Sequence, residues 1–169
     1  MLIRKETPDD FDEVYALVTS AFGSAEHSDG NEQDLVVSLR KSSAFVPELS
    51  LVAQIGGKIA GHILFTEAKV GGSTVLALAP LSVLPEFQNR GVGSALVEAG
   101  HETAKKLGYN YSIVLGSDKY YPRFGYVPAK IHGVSAPAGI PPENFMAVKL
   151  REDAEPISGE VEYAREFGI

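Results

Sequence analysis

The feature that most constrains this chain is the run Ala77–Glu102, ALAPLSVLPEFQNRGVGSALVEAGHE. An apolar strand pattern from Leu76 to Leu84 is broken by Pro80. A polar bend follows, Pro85-Glu86-Phe87-Gln88-Asn89-Arg90, and then Gly91-Val92-Gly93-Ser94 leads into a helical pattern reaching Leu107. Strand, glycine loop and helix in that order suit an anion. The first N–H groups of a helix have no intrahelical acceptor and point the same way. The helix dipole adds partial positive charge there, so a phosphate fits without a lysine. Gly91 lacks a Cβ, which permits positive φ and lets a ligand approach the backbone. Gly93 is expected to do the same on the first turn.

Two familiar phosphate loops are excluded. No GxxxxGK[ST] is present, and a GxGxxG counted from Gly91 fails at its sixth position, Leu96. Gln88-x-x-Gly91-x-Gly93 remains, and glycines at such turns also serve structure alone. A second motif lies one helix and one strand downstream: Leu115-Gly116-Ser117-Asp118-Lys119-Tyr120-Tyr121-Pro122-Arg123-Phe124-Gly125-Tyr126. Together the two resemble the GNAT superfamily of acyl-CoA N-acyltransferases. The form LG-x-x-x-YY-x-RFG-aromatic is similar to its YhbS-like branch, and the resemblance runs from the amino-terminal strand to Tyr163.

The resemblance implies a three-layer α/β (α+β) fold. A mixed, mostly antiparallel twisted sheet would carry helices on both faces. Its bulged central strand would splay from a parallel neighbour and expose main-chain groups to the pantetheine of acetyl-CoA. Leu81, Ser82 and Val83 would pair with it through backbone atoms, their side chains remaining core. Gln88, Asn89, Arg90, Gly91, Val92, Gly93 and Ser94 would hold the pyrophosphate. Tyr121, four residues before Gly125, would protonate the leaving thiolate. A phenol suits that role, since its ordinary pKa of about 10 exceeds a thiol's of about 8.5. The alternative is a packed aromatic. Tyr120 is read as core or cofactor packing, and Arg123 as an anchor or a brace of the loop.

The 169 residues, 44% of them hydrophobic, fit one domain spanning 1–169 with a real core. A net charge of −7 provides no basic stripe for nucleic acid; it suits a cationic substrate or plain solubility. The absence of cysteine excludes disulfides, thiolate nucleophiles and cysteine zinc sites. Arg4, Lys5, Glu6, Asp9 and Asp10 interrupt any signal peptide. No apolar run approaches the roughly 20 residues of a membrane span. A soluble cytoplasmic protein without a metal is expected.

Thr7-Pro8-Asp9-Asp10 reads as a helix start. Phe11, Val14, Tyr15, Leu17, Val18, Ala21 and Phe22 follow at helical spacing. A polar loop from Gly23 to Gly30 contains His27. A second helix is expected over Asn31–Lys41, with Leu35, Val36 and Leu39 inward. Strands over Leu49–Ile55, Ile59–Lys69 and Val75–Val83 form a meander through the turns Gly56-Gly57 and Gly71-Gly72. Pro80 cannot donate to a ladder, so it belongs at an edge or a bulge. Gly108 ends the next helix, and Tyr111–Leu115 is a buried parallel strand. Asp118–Phe124 is short and helical, Phe145–Leu150 is the final strand, and Ile157–Phe167 has no legible structure.

No general base stands out. Glu32 on the second helix can line the acceptor cleft or be a solvated helix acid. His62 and Glu67 face opposite sides of one strand, and Ser82 can act through water. His101 and His132 read as surface residues. The aromatics Phe145, Tyr163 and Phe167 can cover a sheet edge in the same chain or in a homodimer. The acceptor's walls are expected from the first two helices and the tail. The first reading is direct acetyl transfer from acetyl-CoA to a primary amine, on a small molecule or a protein. Against it stand a non-catalytic acyl-CoA-binding module and a protein holding another phosphate on the same loop.

Overall fold

The computed structural model describes residues 1–23 and 30–169; His27 lies outside them. The elements in order are β1 (Leu2–Lys5), α1 (Phe11–Phe22), α2 (Glu32–Arg40), β2 (Phe45–Ile55), β3 (Lys58–Val70), β4 (Ser73–Val83) and α3 (Val92–Lys106). β5 (Tyr111–Leu115), β6 (Val127–Pro128), β7 (Val134–Ser135), β8 (Phe145–Lys149) and β9 (Gly159–Glu162) follow. The main sheet runs β1-β2-β3-β4-β5-β8-β6, and β9 joins β3 beyond the reach of β2. Every pair along the main path is antiparallel except β4–β5. No described helix is long and apolar enough to cross a membrane.

Alternation along the strands builds the layers. Leu51 and Ala53 pack with Ile63 and Phe65 against Leu96 and Val97 of α3. Val52, between them, packs with Val14, Leu17 and Val18 of α1 and Val36 of α2. Helices therefore cover both faces, as the three-layer reading expects. Val134, Phe145 and Val161 complete the α1 side, over Val75, Ala77 and Ile113. Tyr15, read as an inward residue, is 41% exposed and donates to Asp34 instead.

The amino-terminal signal works in two parts. Pro8–Asp10 forms a single 3-10 turn before α1 begins. Asp10 accepts the Thr7 N–H at 2.7 Å and both Arg4 nitrogens at 2.8 and 2.9 Å. The Arg4 hydrogen bond in particular holds its carboxyl down at about 2. Phe145–Leu150 is not the last strand: β9 pairs with the end of β3 through Lys69–Glu162 and Val70–Val161. Its four residues are too short and polar to show a strand pattern alone. Phe145 is a core residue of β8, 1% exposed, and covers no edge.

A buried polar network ties β1, α2, β2 and β3 together. Arg40 grips Glu6 through two nitrogens at 2.9 and 3.0 Å. The Ser50 hydroxyl donates to Glu6 at 2.6 Å, so the His62 Nε2–H must donate to Ser50 at 3.0 Å. Burial alone would raise the Glu6 carboxyl, but Arg40, His62 and Ser50 together bring it below its usual value. Burial pushes His62 down to about 4, against the pull of Glu6. His101 was read as a surface residue; it is 9% exposed and also pushed down to about 4, chiefly by burial. Its Nε2 lies 3.0 Å from the Tyr126 hydroxyl.

Both imidazoles are neutral in the folded chain and protonate more readily once unfolded. Their stabilisation is therefore complete above the unfolded histidine pKa of about 6.5 and fades as pH falls toward 4. Urea unfolding at stepped pH should show stability dropping across that window, with a slope approaching two protons, about 2.7 kcal/mol per pH unit. A flat profile between pH 6.5 and 4.5 would show that the rings titrate alike in both states.

Candidate active site

The loop before α3 has the geometry of an anion site. Gly91 caps the helix with φ 83°, a conformation that L side chains rarely adopt. It offers no side chain to the free N–H groups, and no acid lies in the first turn. The first helical bond to this cap runs from the Ala95 N–H to the Gly91 carbonyl. The N–H groups of Val92, Gly93 and Ser94 thus precede the regular ladder. Asn89 also takes positive φ, 62°, and the Gln88 amide donates to the Val83 carbonyl at 3.2 Å, closing the bend.

A first cavity of about 550 Å³ lies over this loop. Leu81, Val83, Gln88, Asn89, Gly91, Val92, Gly93 and Ser94 line it, as do Tyr120 and Arg123 and one residue that the sequence does not single out, Phe87. Of the other two expected residues, Ser82 keeps its side chain in the core, as read, and Arg90 stands apart. The Ser82 side chain points to the opposite face and is 1% exposed, as alternation between Leu81 and Val83 requires. Arg90 is not among the lining residues; its guanidinium stands 5.7 Å from the centre of the Phe87 ring.

Gly93 differs from Gly91 in its reason for being glycine. It has helical φ, and a Cβ there would come within 2.6 Å of the Tyr120 hydroxyl. The Tyr120 ring leans on the helix start. Arg123 secures it from behind, donating to the Tyr120 carbonyl at 3.0 Å and lying 4.6 Å from the ring centre. Arg123 therefore braces the loop and also faces the cavity.

The sheet opens beside this loop. β4 and β5 pair only over Leu76–Leu78 and Ser112–Val114. Opposite β3 the register jumps from Ile63–Leu81 to Phe65–Leu78, so Ala79 and Pro80 form a bulge across from Leu64. Pro80 is in the middle of the sheet, and the bulge is what accommodates it. A second cavity, about 610 Å³, occupies the opening; Leu81 and Tyr120 line both.

Tyr121 lines the second cavity. It begins a 3-10 turn, Tyr121–Phe124, that is shorter than the helical stretch expected over Asp118–Phe124. Its ring stands edge-on to Tyr120 at 5.1 Å and to Tyr126 at 5.7 Å. Burial, with a smaller contribution from Tyr120, raises its phenol above the ordinary value. A Cβ on Gly116 would press into the Tyr121 ring at 2.5 Å. That contact explains the Leu-Gly of the second motif.

Other candidates fall around this centre. Glu32 lines the second cavity, with Phe22 of α1 and Leu35 of α2. Tyr163, Phe167 and Ile169 line it as well. His62 and Glu67 do face opposite sides: His62 joins the Glu6 network, while Glu67 accepts the Tyr109 hydroxyl below α3. Neither lines either cavity. His132 is partly exposed, edge-on to Tyr111.

Comparison with known proteins agrees with this architecture. Residues 11–126 match the model of the acetyltransferase (GNAT) family. The chain belongs to that family. It is 41% identical over 80% of its length to Escherichia coli "Uncharacterized N-acetyltransferase YjhQ", covering 75% of that protein. It is 31% identical over 99% of its length to E. coli "Uncharacterized N-acetyltransferase YhbS", covering 98% of it. The crystal structure of E. coli YhbS in complex with CoA superposes with a TM-score of 0.88 at 29% identity, over 99% of this chain and 92% of that one. A Brucella melitensis GNAT acetyltransferase in complex with acetyl-CoA gives 0.82 at 30% identity, over 98% and 97%.

The packing of Tyr121 on Gly116 is open to direct test. Gly116→Ala should displace the ring and destabilise the fold by about 1–3 kcal/mol, the usual cost of overpacking. Urea unfolding measures it; unchanged stability would mean that the ring gives way freely.

Proposed function

We propose that this chain, acting as one domain over residues 1–169, transfers an acetyl group from acetyl-CoA to a primary amine in a ternary complex. The observation that carries the reading is the junction of the two cavities at Leu81 and Tyr120. An uncapped helix start lies on one side of that junction and Tyr121 on the other. CoA and acetyl-CoA are bound by the YhbS and Brucella melitensis neighbours, which supports the same cofactor here.

The pyrophosphate sits on the N–H groups of Val92, Gly93 and Ser94, with Gln88 and Asn89 around it. Pantetheine follows β4, where backbone groups of Leu81–Val83 face no strand of their own on the β5 side. Ser82 contributes only its backbone, since its side chain turns away. The thioester then reaches the second cavity. The amine nitrogen attacks the carbonyl carbon, and the C–S bond breaks as the amide forms. The Tyr121 hydroxyl gives its proton to the departing sulfur, and the proton lost by nitrogen leaves through water. Because burial raises the Tyr121 phenol, the acid stays protonated through neutral and mildly alkaline pH.

Two variants test the two ends. Gly91→Val places a branched side chain where φ is 83° and should weaken CoA binding at least about tenfold in calorimetry on folded protein. Unchanged affinity would remove the pyrophosphate from this loop. Tyr121→Phe should lower kcat about 10²–10⁴-fold, the usual worth of an acid catalyst, and leave acetyl-CoA affinity nearly intact. A kcat within about threefold of wild type would deny Tyr121 the role.

A further inference from the structure

We propose that the amine acceptor is a small molecule with one cationic nitrogen and an aryl or bulky apolar body. This rests on the acetyl-transfer reading and adds the substrate class. The second cavity, about 610 Å³, is the size of a small-ligand site. Five rings from three parts of the chain line it: Phe22 of α1, Tyr120 and Tyr121 before β6, and Tyr163 and Phe167 of the tail. Leu35, Leu81 and Ile113 fill much of the rest. Among the described lining residues Glu32 is the one charged side chain.

The tail half of this wall is built and held. The Tyr163 and Phe167 rings pack at 5.3 Å. β9, just before them, is paired to β3. The Ser42 hydroxyl after α2 donates to Glu166 at 2.9 Å, between the two rings in sequence. The aromatic face is therefore presented by a strand and a turn that are fixed to the sheet and to α2.

This chemistry selects among amines. An apolar body displaces water from the rings and gains by burial. An ammonium gains from one carboxylate and from the ring faces. A second ammonium would be desolvated against rings and aliphatic side chains with no further acidic side chain among the described lining residues, which is unfavourable. A body covered with hydroxyls would leave many of them unpaired.

The test compares 2-phenylethylamine and tyramine with spermidine and glucosamine, reading CoA release from acetyl-CoA, with CoA binding measured separately by calorimetry. The aryl amines should show kcat/KM at least about tenfold above both polar amines, within the range that pocket contacts discriminate. Phe167→Ala and Glu32→Gln should each raise KM for 2-phenylethylamine about tenfold and leave KM for acetyl-CoA within about twofold. Faster turnover of spermidine or glucosamine, or an unchanged amine KM in both variants, overturns the inference and leaves acetyl transfer standing. Failure to bind CoA, or transfer to no amine of either kind, overturns the transfer reading and this inference with it.

Discussion

β4 keeps its pairing with β5 only as far as Leu78, and the rest of the site depends on that separation. A parted sheet is normally unstable, because unpaired backbone groups would be buried. Here the separation is small in cost. β5 remains paired with β8 along its whole length, Tyr111–Lys149 to Leu115–Phe145. Beyond it, Gly116 and Asn144 exchange two hydrogen bonds, at 2.9 and 3.0 Å. On the other side, β4 stays on β3 through Leu81–Val83. Pro80 has no N–H to lose, so the bulge falls where a ladder bond is least missed. Each strand is held by its outer neighbour, and the gap between them leaves backbone groups of β4 without a strand partner on the β5 side.

The two edges of the gap are joined by aromatic contacts. Tyr120 reaches across to the start of α3, where Gly93 makes room for its hydroxyl. Tyr121 lies on Gly116 at the end of β5. Behind both, Tyr126 is fixed by Ser112 at 2.8 Å and by His101 at 3.0 Å. Each such ring pair adds about 0.5–1.5 kcal/mol beyond its burial, and more consequentially it sets where the two tyrosines point. His101, on the inner face of α3, thus contacts Tyr126, whose ring stands edge-on to Tyr121, the residue whose hydroxyl the proposed reaction would use.

What could be read from the chain beforehand was what local chemistry controls. The turns Gly56-Gly57 and Gly71-Gly72, the strand–loop–helix around Gly91 and the bulge at Pro80 depend on neighbours in sequence. So does the placement of Tyr121 before Gly125. What escaped reading depends on partners far away. Gly93 has a second reason to be glycine, the Tyr120 hydroxyl 2.6 Å from where its Cβ would stand. His101 had a usable signal: it follows Val97 by four residues on the inner face of α3 and precedes Ala104 by three. β9 had none, since Gly159–Glu162 becomes a strand through two distant partners, the end of β3 and the short β7. The aromatic wall of Tyr163 and Phe167 follows from that pairing.

The proposed chemistry requires one placement: a cofactor lying along the parted strands with its phosphates on the start of α3. Residue-resolved ¹⁵N spectra during a CoA titration test it most directly. The account predicts that the amides of Val92, Gly93 and Ser94 shift together with those of Leu81–Val83. It also predicts that 3′,5′-ADP, which lacks pantetheine, moves the first group and spares the second. Shifts that cluster away from the α3 start, or CoA shifts that leave β4 untouched, would contradict it.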